Sequence, residues 1–173
     1  MRTGAAAAGS AIFFAVTPGG VAGGIPFALT GWHSQPLWWP IRLVGAVLTV
    51  AGAILLVHAF VRFVIEGRGT PAPVAPTERL VIGGAYRYVR NPMYVAVLAT
   101  ILGQGLVLGR PVLFGYALVV AIAVVGFVLG YEQPTLRERY GQEYEEYLRA
   151  VPGWIPRLTP WRGTSSPNSD QRR

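Results

Sequence analysis

The sequence contains no cysteine and no lysine, and only 13% of its 173 residues are charged. Without cysteine there can be no disulfide, no thiolate metal ligand and no cysteine nucleophile. Two histidines and eight acidic residues, one of them Asp170, argue against a zinc or iron site, so no metal is expected. Ordinary soluble domains carry about 25% charged residues, and this composition therefore excludes that class.

Hydrophobic residues make up 52% of the chain and are concentrated in four long stretches. The stretches run over residues 5–29, 40–65, 92–108 and 111–131. A membrane-spanning helix needs about 20 apolar residues. The first stretch contains "TPGG" and "GGIPF", and its hydrophobicity continues past any signal-peptide cleavage site, so we expect a retained, kinked helix. The sequence predicts an all-α integral membrane protein with about four transmembrane helices.

The net charge of +7 comes from fifteen arginines that are distributed unevenly between the two ends of the predicted spans. Arg42 and Arg110 flank the span ends joined by "GWHSQPLWWP" and "GRP". The opposite ends carry Arg68, Arg79, Arg87, Arg90, Arg137, Arg139, Arg149, Arg157, Arg162, Arg172 and Arg173. Because cytoplasmic loops accumulate arginine, both termini and the middle loop are expected on the cytoplasmic side of the inner membrane. Membrane lipids, and not nucleic acid, are the expected partners of this charge.

The chain divides into three predicted parts. Residues 1–66 hold the first two transmembrane helices, residues 67–162 form a core, and residues 163–173 form a disordered tail. The core opens with the proline-rich linker "GRGTPAPVAPTERL" and contains the hairpin of the third and fourth spans. It ends with "PTLRERYGQEYEEYLRAVP", whose aromatic and aliphatic spacing predicts a cytoplasmic amphipathic helical segment, with a break at Gly141.

Polar chemistry is concentrated where the loop "GGAYRYVRNP" meets the third span. Asn91 is a preferred N-cap and Pro92 a preferred first helical residue, so the span should begin there. The fourth span returns antiparallel after "GRP", and Arg90 is therefore expected near Glu132. Taken singly, Arg90 can reach lipid headgroups, Tyr94 can join an interfacial belt and Glu132 can cap a span. Together with glycines that expose backbone N–H groups beside a helix N-terminus, they favour an anion-binding site.

These segments resemble the superfamily of isoprenylcysteine carboxyl methyltransferases and phospholipid methyltransferases, which are integral membrane enzymes. The family pattern is Gly-x-Tyr, then Arg-His-Pro-x-Tyr at the start of a span, then Glu-Glu, then Phe-Gly-x-x-Tyr-x-x-Tyr before Val-Pro. Here the corresponding residues are Gly84–Tyr86, Arg90–Tyr94, Glu132 and the run 140–152. The resemblance covers roughly residues 78–158, with order and spacing preserved.

Four positions depart from the family pattern. The family histidine is Asn91, which keeps capping and hydrogen bonding but does not titrate near neutral pH. The second glutamate is Gln133, a common glycine is Ala96, and the basic residue before Val-Pro is Ala150. These changes bear more on the identity of the substrate than on the cofactor.

The resemblance implies a methyltransferase core in residues 67–162 that uses S-adenosylmethionine as methyl donor at the cytoplasmic membrane face. It implies that Arg90 and Glu132 are the catalytic residues. The cofactor-binding residues it implies are Gly84, Tyr86, Arg90, Asn91, Pro92, Tyr94, Glu132, Tyr144 and Tyr147. The expected acceptor is a lipophilic or lipidated molecule, with the carboxylate of a prenylated or isoprenoid-like substrate favoured.

A second polar group lies in the second stretch, where His58, Arg62 and Glu66 are spaced four apart and share one helix face. Polar side chains within a membrane are candidates for function. We therefore expect His58 and Arg62 to bind substrate, together with Arg149 of the C-terminal segment. Arg62 and Glu66 can instead pair with each other near the end of the span.

Two other functions are open to this sequence. Membrane reductases of the steroid-reductase type bind NADPH and look similar around Arg-His-Pro-x-Tyr. They tend to carry Asn at x and Phe-Gly-Glu after the tyrosine, whereas this chain has Met93 and "VAV" after Tyr94. A non-catalytic small membrane carrier is the other alternative, and it would not need Arg, Tyr and Glu gathered on one membrane face.

Overall fold

The structure is a computed structural model that describes residues 15–67 and 80–163, and every regular element in these two ranges is helical. The elements are a π-helix, Ala15–Gly24, continuing into α1, Ile25–Thr30; α2, Trp39–Gly67; a 3₁₀ turn, Gly84–Arg87; α3, Pro92–Leu108; α4, Val112–Phe127; a π-helical segment, Val128–Glu132; α5, Gln133–Tyr140; and α6, Gln142–Ala150. Residues 5–14 of the first predicted stretch, residues 68–79 of the predicted linker and residues 164–173 of the predicted tail lie outside the described residues.

The first apolar stretch is helical across both of the motifs at which a kink was expected. Its backbone changes from π to α geometry at Gly24, and Pro18 lies inside the π-helix. Carbonyls of this segment receive side-chain donors from neighbouring helices: Tyr116 Oη donates to the Val21 oxygen at 2.9 Å, and Gln104 Nε2 to that of Ala22 at 2.6 Å. Such donors are what allow an irregular helix to persist in an apolar environment.

Helices α2 and α3 pack with their backbones in close contact. A Cβ atom placed on Gly52 would lie 2.9 Å from the backbone nitrogen of Thr100 and 3.0 Å from the oxygen of Ala96. A Cβ on Gly103 would lie 2.7 Å from the oxygen of Gly45. Small residues at such positions let two apolar helices approach closely enough for van der Waals packing to hold them.

Two helical stretches of the described chain are long and apolar enough to cross a membrane: Trp39–Glu66, with a mean hydropathy of 2.3, and Val112–Tyr140, with 2.8. Pro92–Leu108 is also apolar but shorter. The outer face of α2 exposes large apolar side chains, since Val47, Val50 and Ile54 are each about 60% exposed. An apolar surface of this extent is typical of contact with lipid or with another protein.

The fourth predicted span differs from expectation at its end. We predicted that it stops at Tyr131, but helical backbone continues through the π-helical segment and α5 as far as Tyr140. Pro134 cannot donate a backbone hydrogen bond and its ring crowds the carbonyl four residues earlier. The wider π turn directly before Pro134 accommodates the proline ring and the missing hydrogen bond. The continuous helix ends only at Gly141, whose φ is +52°.

After α6, residues 151–162 form a C-terminal strap that runs back along the loop before α3. Four backbone N–H groups of the loop and strap are paired across this contact: Arg90 with the oxygen of Pro152 at 2.9 Å, Asn91 with that of Gly153 at 3.3 Å, Arg157 with that of Tyr88 at 3.0 Å, and Trp161 with that of Arg87 at 2.9 Å. The strap therefore fixes the backbone that leads into α3.

Candidate functional site

A cavity of ≈ 590 Å³ lies where the loop before α3, the π-helical segment and α6 meet. Its volume is within the range of roughly 300–1,000 Å³ that is common for small-molecule and cofactor sites. Six of the nine residues predicted to bind a cofactor line it: Tyr86, Arg90, Tyr94, Glu132, Tyr144 and Tyr147. Residues separated by up to 61 positions in the sequence, Tyr86 and Tyr147, thus contribute to one chamber.

Glu132 and Tyr94 are joined directly at this chamber. The hydroxyl of Tyr94 donates a hydrogen bond to Glu132 Oε2 at 3.1 Å. Arg90, one turn before Tyr94, lines the same cavity as Glu132, but it makes no ion pair with it. A partly buried carboxylate with one donor retains free lone pairs, which can accept further hydrogen bonds from a ligand.

Arg90 presents its guanidinium between the strap and α6. Its Nε–H is buried and has no hydrogen-bond partner among the described residues. Burial raises the pKa of the neighbouring Tyr144 phenol, while the charge and hydrogen bonding of Arg90 oppose that rise. An arginine with an unused donor at the wall of a cavity is suited to an anionic group, which it can grip with two parallel hydrogen bonds.

Tyr86 reaches the cavity from the 3₁₀ turn and is only 6% exposed. Its hydroxyl, like Arg90 Nε, is buried without a partner among the described residues. Its backbone oxygen accepts a 2.7 Å hydrogen bond from the hydroxyl of Tyr147. Burial raises the pKa of both phenols, so each is a neutral donor at physiological pH. Unpaired buried polar atoms are unfavourable by about 1–3 kcal/mol, and a polar ligand in the cavity would satisfy these two.

Three predicted cofactor residues support the chamber without lining it. Pro92 is buried as the first residue of α3, and Asn91 occupies the N-cap position before it. The Asn91 side chain makes no capping hydrogen bond, contrary to our expectation, although its backbone N–H donates to the oxygen of Gly153 at 3.3 Å. Gly84 has a φ of +56° and starts the 3₁₀ turn that carries Tyr86.

The predicted substrate residues lie outside the cavity wall. His58 and Arg62 are on the face of α2 that contacts Gly84, where a Cβ atom would lie 2.8 Å from His58 Nε2. Arg62 pairs with Glu66 at 3.2 Å, which is the alternative that the sequence left open. Arg149 is exposed on α6.

Sequence reasoning missed the apolar wall of the cavity. This wall includes Phe60, Phe63, Val97, Val120, Val124 and Phe127, and it continues to Pro18 and Val21 of the first helix. The sequence offers only the spacing of positions 120, 124 and 127, which fall on one face of a helix. No polar residue marks that face, and an apolar wall cannot be told from ordinary core by residue type alone.

The matches found among known proteins are to methyltransferases. Residues 41–143, more than half of the chain, match the profile of a family described as phospholipid methyltransferase. Two rice proteins, from Oryza sativa subsp. indica and japonica, are each named "Probable protein-S-isoprenylcysteine O-methyltransferase". They are 27% identical to this chain over 123 residues, which cover 69% of this chain and 63% of each relative.

A third relative is "Protein-S-isoprenylcysteine O-methyltransferase B" of Arabidopsis thaliana. It is 28% identical over 126 residues, covering 69% of this chain and 60% of the relative. The chain therefore spans less than two thirds of the length of these curated relatives.

Proposed function

Because this chain belongs to the phospholipid methyltransferase family, we propose that it is a membrane methyltransferase that uses S-adenosylmethionine to methylate a lipophilic acceptor. The observation that carries this proposal is the cavity with one polar and one apolar wall. At the polar wall, Tyr86 and Arg90 hold buried donors that lack partners among the described residues. Such a chamber suits a charged cofactor at the polar wall and a lipophilic acceptor at the apolar wall.

The polar wall would hold the cofactor. Arg90 offers a planar fork of donors to the carboxylate of the methionine moiety. Glu132, held by Tyr94, offers acceptors to an ammonium group or to ribose hydroxyls. Tyr86 offers a phenolic donor, while Tyr144 and Tyr147 line the chamber from α6. When bound, the cofactor supplies a methyl group activated by its attachment to a sulfonium.

The apolar wall would hold the acceptor. Val97, Val120, Val124 and Phe127 offer hydrocarbon contacts between the polar wall and the outer surface of the helices. The relatives act, by name, on the oxygen of a protein-S-isoprenylcysteine, which favours a carboxylate on a prenylated or isoprenoid-like acceptor here. A carboxylate is already ionised at pH 7 and needs no general base, so holding it in line would supply most of the rate.

We further propose that the first helix and α3 accompany the two long apolar helices across the membrane, giving four spans. The chamber then lies near the membrane surface that carries Arg87, Arg137, Arg149 and Arg157. Arg42 and Arg110 lie at the opposite end of the bundle. The excess of arginine supports a cytoplasmic position for the chamber.

Isothermal titration of the purified protein in detergent tests the cofactor. We expect saturable binding of S-adenosylhomocysteine and no binding of NADPH, and the reverse preference would indicate a reductase. Transfer of labelled methyl groups to an isoprenoid carboxylate then tests the acceptor, with the corresponding isoprenoid alcohol as the matched control. Labelling of both or of neither would reject the preference for a carboxylate.

A further inference from the structure

Glu66 occupies an unusual place for an acidic residue, at the last turn of the long apolar helix α2. One carboxylate oxygen, Oε1, accepts a hydrogen bond from Arg62 Nη1 at 3.2 Å. The other, Oε2, accepts one from the backbone N–H of Gly83 at 2.8 Å, although the two residues are 17 positions apart. Glu66 therefore ties α2 to the loop that enters the candidate site.

Side chains of α2 fill the space directly beside the two glycines of this loop. A Cβ atom on Gly83 would overlap the Glu66 carboxylate, and one on Gly84 would lie 2.8 Å from His58 Nε2 and 3.0 Å from Arg62 Cγ. Gly84 also has a φ of +56°, a conformation that only glycine adopts without strain. The pair of glycines is thus fitted onto the polar face of α2.

The same helix holds the next part of the loop by apolar contact. Tyr86 packs against Phe63, with ring centroids 6.4 Å apart, and belongs to one buried cluster with Ala59 and Val81. Tyr86 lines the cavity, whereas Glu66 does not. The position of the Tyr86 hydroxyl is consequently set by a loop whose preceding residues are anchored by Glu66.

We propose that Glu66 is a positioning residue, which holds the loop 83–87 in the conformation that binds the methyl donor. This inference rests on the proposed function and concerns the chain's own residues rather than the donor. It assigns the polar face of α2 to the support of the loop, in place of the substrate contact expected for Arg62 and His58. Glu66 acts through Gly83 and does not touch the ligand.

Three variants separate this role from its alternatives. Glu66→Ala removes the acceptor, and we expect S-adenosylhomocysteine to bind about tenfold more weakly, as for loss of one hydrogen bond to a charged group. Glu66→Gln retains an oxygen for the Gly83 N–H and should bind within about threefold of wild type. Glu143→Ala, the same change at an exposed carboxylate on α6, is the matched control and should bind as wild type does.

Hydrogen exchange gives a readout that does not depend on any ligand. In Glu66→Ala the amide of Gly83 should exchange faster, because it has lost its acceptor, while amides in α6 should remain unchanged. A variant that were merely destabilised as a whole would exchange faster in both places. If Glu66→Ala cannot be purified as a folded protein, Glu66→Asp takes its place. Its carboxylate is one methylene further from Gly83, so weaker binding and faster exchange at Gly83 are expected, and binding equal to that of wild type would overturn the inference.

Each outcome of the titration has one meaning. Wild-type protein that does not bind S-adenosylhomocysteine overturns the proposed function and this inference with it. Wild-type binding with an equally strong Glu66→Ala variant overturns the inference alone. Equal weakening in Glu66→Ala and Glu66→Gln also overturns it, because the ion pair with Arg62 would then be the active element rather than the bond to Gly83.

Discussion

Tyr94 donates a hydrogen bond to Glu132 at 3.1 Å, across 38 positions of sequence. The two residues lie on helices that a tight turn connects at their other ends, where Gly109 adopts a φ of +63°. The bond therefore closes the open end of the α3–α4 hairpin, and it does so at the wall of the cavity. Fold and candidate site depend on the same contact.

Replacing Tyr94 by Phe should separate this contact from the charge of Glu132. We expect the variant to bind S-adenosylhomocysteine about tenfold more weakly, because the carboxylate loses the donor that orients it. Glu132→Gln keeps an acceptor for Tyr94 but removes the charge, and should weaken binding at least as much. Calorimetric titration measures both, with Tyr88→Phe at a partly exposed phenol outside the cavity as control. Unchanged affinity in both variants would remove Glu132 from the binding site.

Arg90 should not be replaceable by lysine. Arg90→Lys keeps the positive charge but loses the planar fork and the buried Nε donor, so we expect affinity to fall by about tenfold or more. Arg162→Lys makes the same exchange at an exposed position after the strap's Trp161 and should have no effect. Titration with S-adenosylhomocysteine measures the difference. A lysine variant that bound like wild type would show that charge alone suffices at this position.

Tyr86→Phe should weaken binding without weakening the fold. The hydroxyl has no hydrogen-bond partner among the described residues, so its removal relieves a buried unpaired group. We expect the free energy of unfolding at neutral pH to stay the same or to rise by up to about 1 kcal/mol. Affinity for S-adenosylhomocysteine should fall in the same variant. Thermal unfolding in detergent and calorimetry measure the two effects, and a loss of stability would indicate a partner for the hydroxyl within the protein.

The glycine at position 52 should be intolerant of any larger residue. Gly52→Val places atoms against the backbone of Thr100, which cannot move aside as a flexible side chain could. Overpacking of this kind is unfavourable by about 1–3 kcal/mol, so we expect the free energy of unfolding to fall by that amount. The measurement is the unfolding temperature in detergent, which should be lower than that of wild type. Gly115→Val is the control, because nothing lies within 4 Å of a Cβ atom at that position. Equal stability of the two variants would contradict the close pairing of α2 and α3.

Much of the helical framework could be predicted because its signals are local. The bounds of α3 at Pro92 and Leu108 agree with the prediction, since proline favours a first turn and Gly109 a left-handed cap. Helix α2 begins one residue before the predicted stretch and ends two residues after it. The break at Gly141 lies between α5 and α6 for the same kind of reason.

The remainder depends on contacts between distant segments, which local patterns do not contain. The helix continues past Pro134 because a π turn precedes that residue, and no residue type in the sequence predicts a π turn. The bond from Gly83 to Glu66 and the strap opposite Arg90 join positions 17 and 62 residues apart. The ligand-binding roles of Arg90, Glu132 and their neighbours stay predictions. The sequence suggests these roles by residue type, and the structure adds that the side chains line one cavity.

The C-terminal strap has a consequence for the order of events during synthesis. Arg87, Tyr88 and Arg90 obtain their backbone partners from residues 152–161. While the chain is still growing, the apolar helices can enter the bilayer and pair, yet the loop before α3 lacks the backbone partners that the strap supplies. We therefore expect the loop that carries Tyr86 and Arg90 to reach its final conformation only after translation has passed Trp161.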